Sequence, residues 1–108
     1  MSRRRRNREQ PAPEAAESQR VDKWLWCVRI CKTRADAARL VGRGGVRINR
    51  RKVSRPSALV RRDDVLTIAL HGRVRVVRVA GFAARRVSPA VAEGLRIDIE
   101  EPAGERQI

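Results

Sequence analysis

Tyrosine is absent from this sequence, phenylalanine occurs once and tryptophan twice, so aromatic residues make up only 3% of the chain. A core has to be assembled from Val, Leu, Ile and Ala instead. No apolar run approaches the roughly 20 residues that a membrane-spanning helix requires, so a membrane is not an expected partner. Two cysteines and one histidine are too few for a four-ligand zinc site, and a disulfide framework is equally ill matched to that count. Neither a metal nor any other cofactor is implied, and a reducing cytoplasm is the expected compartment. Arg3, Arg4, Arg5 and Arg6 are not followed by an apolar stretch, which excludes a secretory signal from the reading. Acidic residues are also scarce: 12 face 26 Lys and Arg across 108 residues, a net charge of +14.

That charge is unevenly placed. Residues 21–62 hold thirteen basic and two acidic side chains, a net of +11, whereas residues 63–108 hold seven of each. The basic segment also carries helix and strand periodicity, so its charge belongs on a folded surface. Arginine outnumbers lysine 23 to 3, and its planar guanidinium suits phosphate and base recognition better than an ammonium does. A polyanion is the expected partner, with nucleic acid ahead of a membrane surface.

Four parts follow along the chain. Residues 1–19 are polar, Arg-rich and then Pro/Ala/Glu-rich, and read as a disordered arm. Residues 20–100 form the expected domain, and 101–108 a frayed tail. From Val21 the pattern is helical, with Val21, Trp24, Leu25, Val28 and Cys31 on one arc and Trp26 and Ile30 on another. Thr33 with Asp36 three residues on resembles a capping box and predicts a second helix over 34–42, buried through Ala37, Ala38 and Val41. Gly44-Gly45 ends it. Val46 and Ile48 then alternate with Arg47 and Asn49, a turn follows at residues 49–52, and Val65–Leu70 reads as a strand. His71-Gly72 predicts a hairpin turn into Arg73–Val79, where a phase slip at Val77 suggests a bulge. Leu95, Ile97 and Ile99 complete a last half-buried strand. The predicted class is α+β, two helices followed by a β-hairpin, packed on a small, mostly antiparallel sheet.

The basic residues gather around the second helix and the hairpin after it. Thr33 opens that helix where free amides favour a phosphate, with Lys32 and Arg34 beside it. Arg39 and Arg43 follow at i,i+4, Arg47 and Asn49 face away from the core, and Arg50, Arg51 and Lys52 form the hairpin tip. Other candidates have simpler uses. Cys27 and Cys31 suit core thiols, Trp24 and Trp26 suit core rather than base stacking, and His71 and Asp63-Asp64 suit turns. Gly42-x-Gly44-Gly45 lacks the Gly-Lys-Ser/Thr and the strand-to-helix order of a phosphate loop.

Residues 20–68 resemble the S4 RNA-binding domain family. The resemblance rests on Arg-Val-Asp-Lys at 20–23, Lys-Thr-Arg at 32–34, Gly-x-Val-x-Ile-Asn at 44–49, Pro56-Ser57, and Asp-Val-Leu-Thr-Ile at 64–68. The Asp-Lys-Trp-Leu-Trp run, with Arg85-Arg86 near Pro89, narrows it to the ribosome-associated heat shock protein 15 branch. The resemblance implies an alpha-L motif (two helices and a hairpin) that docks on structured RNA, and it adds Arg20 and Lys23 to the expected contacts. Lys23 has a competing use in neutralising Asp22. For that branch it further implies ribosomal RNA of the large subunit as partner, tRNA as a second one, and a stress-response role in recycling stalled large subunits; a monomer is the expected state. Two departures stand out. The hairpin turn is Asn49-Arg50 rather than the family's Asn-Gly, which asks Arg50 for a positive φ at about 1 kcal/mol or for another turn type. The C-terminus is short and acidic. A DNA-binding helix-turn-helix regulator is the alternative, weakened by a strand that begins directly after the second helix. An RNA-modifying enzyme would need more than the roughly 40 residues left after the domain, so no enzymatic activity is expected.

Overall fold

Residues 18–99 are described by a computed structural model. Helix α1 (Val21–Cys27) and α2 (Arg34–Gly42) cover one face of a five-stranded antiparallel sheet of order β3-β2-β5-β6-β7. The strands are β2 (Val46–Ile48), β3 (Arg51–Val53), β5 (Val65–Leu70), β6 (Arg73–Val79) and β7 (Arg96–Asp98). A separate pair joins β1 (Ser18–Arg20) to β4 (Leu59–Arg61), and a short helix α3 (Pro89–Leu95) precedes β7. The α+β class is as the periodicity predicts, and every strand pairing is antiparallel.

Aliphatic side chains build the core. Val46, Leu66, Ile68, Val77 and Val79 on the covered face of the sheet pack with Val21, Trp24, Leu25 and Val28 and with Ala37, Leu40 and Val41. The Trp24 indole is fully buried and donates from Nε1 to the Gly81 carbonyl at 2.9 Å, satisfying its one polar group. The close fit of α2 to the sheet depends on Gly45, where a Cβ would stand 2.5 Å from Leu40 Cδ1 and 3.3 Å from the Ala69 carbonyl. Gly44 takes φ +84°, and its amide bonds back to the Val41 carbonyl to close the helix.

Several expectations need correction. The first helix stops at Cys27 rather than continuing to Cys31, because Arg29 enters the left-handed region at φ 65° and the Ile30 and Cys31 amides both turn back to the Leu25 carbonyl. The arc residues other than half-buried Trp26 remain buried all the same, because the chain curls on itself. Ala38 is only half-buried, and Leu40 fills the α2 interface instead. No bulge interrupts β6: it pairs in continuous register with β5, from Val65 opposite Arg78 to Leu70 opposite Arg73. The apparent phase slip arises because valines occupy both faces, Val77 and Val79 toward the helices and Val74 and Val76 away from them. The last strand begins at Arg96, and Ile97 is exposed, because Asp98 and not Ile97 lies opposite buried Val77. Helix α3 went unforeseen, although its start is written as Ser88, whose hydroxyl accepts from the Val91 amide, followed by Pro89 in the first turn. The expected arm is shortened by Ser18 and Gln19, which pair with Arg61 and Val60; residues 1–17 and 100–108 lie outside the described residues.

Candidate nucleic-acid interface

Three loci position the basic side chains. The first is the approach of α1 to the start of α2. Asp22 is buried, and its carboxylate receives Arg20 through Nε at 3.1 Å and Nη2 at 3.0 Å. Arg34 reaches the same carboxylate from α2 at 3.7 Å. A bidentate guanidinium on one side and a second one across the helix pair orient Arg20 and Arg34 while leaving both side chains nearly half exposed. The competing use of Lys23 in neutralising Asp22 is not realised: the partners of Asp22 are these two arginines, which lie at i−2 and across a turn that sequence spacing does not reveal.

The second locus is α2 itself. It runs over Arg34–Gly42 as the capping pattern predicts, and the Thr33 side chain accepts from the Asp36 amide at 2.9 Å. The cap uses that hydroxyl as an acceptor and leaves its proton to donate, on an exposed side chain. Arg39 pairs with Asp36 one turn earlier while two-thirds exposed. Arg43 is exposed at the C-cap, and Lys32 is exposed before the helix; neither side chain has an intramolecular partner among the described residues.

The hairpin β2–β3 is the third. Asn49 and Arg50 both take positive φ, 51° and 74°, the two-residue turn that matches strand twist. Arg50 thus accepts the conformation that the family's glycine would adopt freely. Asn49 does not project its amide into solvent for a ligand: Nδ2 donates to Asp64 Oδ1 at 2.9 Å and Oδ1 accepts from the Val65 amide at 2.9 Å. It fastens the hairpin to β5, a structural use that the alternation pattern could not distinguish from an outward contact. Arg47 lies on the uncovered face of the sheet opposite Lys52, and its guanidinium folds toward the Arg50 carbonyl at 3.4 Å. Arg51, paired with Ile48, is on the helix side at the open edge of the sheet. Lys52 joins the two loci, since its Cε passes 2.6 Å from where a Gly44 Cβ would be. Its ammonium consequently sits beside the C-terminus of α2, where the helix dipole favours a cation.

Lys32, Arg39 and Arg43 line one cleft beside α2, with Arg34 at the start of that helix, and Lys52 links the helix end to the hairpin, which carries Arg50 at its turn, Arg51 on the helix side and Arg47 on the uncovered face. Arg20 joins at Asp22. Lys23 lies on α1, half-buried and without an ion-pair partner among the described residues. The two cysteines are buried and reduced, as core thiols. Burial, with Asp36 adding to it, pushes the Cys31 thiol up to about 11, and burial raises Cys27 as well.

This arrangement of two helices, a glycine turn and a basic hairpin defines a class. Residues 19–66 match the family model described as the S4 domain, so a little under half of the chain is similar to that family. Within that class it is similar to heat shock protein 15. It is 37% identical over 79 residues to heat shock protein 15 of Escherichia coli strain K12, an alignment covering 73% of this chain and 56% of that protein. The same figures hold for heat shock protein 15 of Escherichia coli O157:H7. The chain therefore spans a little over half the length of these curated relatives. A solved structure of Vibrio cholerae heat shock protein 15, described as trimeric, superposes with a TM-score of 0.74 at 27% identity, over 83% of this chain and 90% of that one. Among the described residues, no helix is long and apolar enough to cross a membrane.

Proposed function

We propose that this protein docks on structured RNA, in the first place ribosomal RNA of the large subunit, through the α2–hairpin surface. The observation that carries this reading is the set of exposed cations there without intramolecular partners among the described residues: Lys32, Arg43, Arg50, Arg51 and Lys52. Leaving like charges close together opposes folding through repulsion, and a polyanion relieves it. A surface of guanidinium groups spread over a helix and a hairpin reads phosphate geometry and shape, which suits folded RNA, whose deep groove side chains cannot enter. Arg20, Lys23, Arg34, Arg39 and Arg47 extend the footprint. The reported matches give no support to a helix-turn-helix regulator. By likeness to heat shock protein 15, we place the protein in the cytoplasm as a non-enzymatic ribosome-associated factor that takes part in recycling stalled large subunits, with tRNA as a second contact; we take it to act as a monomer, which that likeness does not supply. Light scattering reports its oligomeric state directly, a useful measurement because the Vibrio relative was solved as a trimer.

Filter binding to a large-subunit RNA fragment across a salt series tests the electrostatic core of this reading. If about six phosphates are neutralised, log K falls against log[salt] with a slope of roughly −4 to −5. An affinity nearly independent of salt, or equal binding to duplex DNA of the same length, contradicts it. Sedimentation of a tagged protein through a sucrose gradient separately tests large-subunit association.

A further inference from the structure

Beside the α2 track, a cleft of about 410 Å³ opens between the end of α1, α2 and the β5–β6 turn. Its floor is aliphatic: Ile30, Leu40 and Leu70. Lys32, Arg43 and His71 stand on its rim, and Asp36 is the one carboxylate lining it. Two further arginines border the cleft but are already engaged, Arg29 donating to the Val87 carbonyl at 3.1 Å and Arg39 pairing with Asp36. Among the described residues, the cations at the cleft without a partner are thus Lys32 and Arg43. His71 reaches the rim because the turn holds it in the left-handed region at φ 55°, with Gly72 at 74°.

An aliphatic floor, a cationic rim and a single acceptor do not suit a bare phosphate, which gains nothing from the floor and is repelled by Asp36. They suit a ligand with a flat apolar body, an amino group and a phosphate. The volume falls within the roughly 300–1,000 Å³ of small-ligand sites. We propose that this cleft receives one unpaired nucleotide splayed out of the bound RNA, its base lying on Leu70 and the exposed edge of Ile30, above buried Leu40, and its phosphate between Lys32 and Arg43. His71 closes one edge against the base or sugar. Asp36, whose Oδ2 has no hydrogen-bond partner among the described residues, accepts from an exocyclic amine as carboxylates do from cytosine N4. The proposal rests on the RNA-docking reading above and deepens it: the α2 track holds backbone phosphates, and the cleft selects RNA with a displaced base.

The probes are a short RNA duplex with a single bulged 2-aminopurine, the same duplex without the bulge, and free 2-aminopurine ribonucleoside monophosphate. Affinity for both duplexes and the fluorescence of the bulged base are measured. The bulged duplex is expected to bind about tenfold more tightly than the perfect one, on the scale of seating one base, with a change in 2-aminopurine emission, and the free nucleotide is expected not to bind at concentrations that saturate with the bulged duplex. His71→Asn removes the imidazole while keeping a residue that tolerates the left-handed turn, and it should cut the preference to about threefold or less. Exposed Arg85→Ala, outside the cleft, should keep the preference. Equal, salt-dependent affinity for both duplexes overturns the cleft and leaves the docking reading standing; failure to bind either duplex overturns both. Tight binding of the free nucleotide, or a preference unchanged in His71→Asn, also overturns the proposal.

Discussion

Arginine does two different jobs in the two halves of this domain. In the charge-neutral half, four of the six described guanidinium groups are tied into the fold. Arg96 donates to the Val28 carbonyl at 2.8 Å, Arg86 to the Trp26 and Cys31 carbonyls at 3.2 and 3.4 Å, and Arg75 and Arg78 pair with Asp98 and Asp63 at 3.0 Å. In the segment of net charge +11, only two carboxylates are present, Asp22 and Asp36. They hold Arg20, Arg34 and Arg39, Arg47 leans on the Arg50 carbonyl, and Arg43, Arg50, Arg51 and Lys52 have no partner among the described residues. A count of basic residues therefore overstates binding capacity wherever carboxylates and free carbonyls lie within reach. What marks an interface here is charge that the fold has not used.

The comparison breaks most visibly at Asp22. Asp22→Ala removes a buried carboxylate with hydrogen bonds from a charged donor, each typically worth 1.5–3 kcal/mol, and frees Arg20 and Arg34 from their positions. Because both arginines remain near solvent, the loss should sit toward the lower end, about 2 kcal/mol of stability in urea unfolding, accompanied by weaker RNA binding. It is the one substitution expected to reduce both quantities together. Arg34→Ala, Arg39→Ala and Arg47→Ala should each cost about tenfold in RNA affinity, close to 1.4 kcal/mol for a charge-assisted contact, with circular dichroism and thermal midpoint little changed. The opposite signature belongs to Arg86→Ala and Arg96→Ala: about 1 kcal/mol of stability for lost hydrogen bonds to carbonyls, with RNA affinity retained.

The smallest effect concerns pH. A thiol whose pKa is raised by folding favours the native state below its ordinary value and loses that contribution as pH climbs through the folded value. Cys31, pushed up to about 11, should make stability decline between about pH 9 and 11, more weakly in Cys31→Ala than in the parent. At neutral pH, both thiols should resist alkylation until the protein unfolds.

Much of the fold was legible because periodicity carries it. The α2 boundaries followed from Thr33, Asp36 and Gly44-Gly45, and the hairpins from Val46-Arg47-Ile48 and His71-Gly72, where local turn chemistry and alternation agree. The misses share a physical cause. Helix α1 ends where Arg29 adopts φ 65° without a glycine to announce it, and β1 and β4 are three residues each, too short to show a pattern and held by pairing across the chain. The valines of β6 looked like a slip because an uncovered sheet face can also carry apolar residues. At the site, residue types and positions were readable but partners were not. Asn49 alternates outward like Arg47, yet its amide is consumed by Asp64 and the Val65 amide. Lys52 falls at the junction of helix and hairpin because Gly44 leaves room for its stem.

The central claim is that the placement of unused charge, not its total, makes the interface. Two triple variants with equal charge change test it side by side: Lys32, Arg43 and Arg51 to alanine, and Arg75, Arg78 and Arg96 to alanine. Affinity for one large-subunit RNA fragment at fixed salt, with folding checked by circular dichroism, is the measurement. The first set should lose about a hundredfold or more and the second about threefold or less, as contact losses exceed long-range charge effects. Equal losses in the two sets would contradict it.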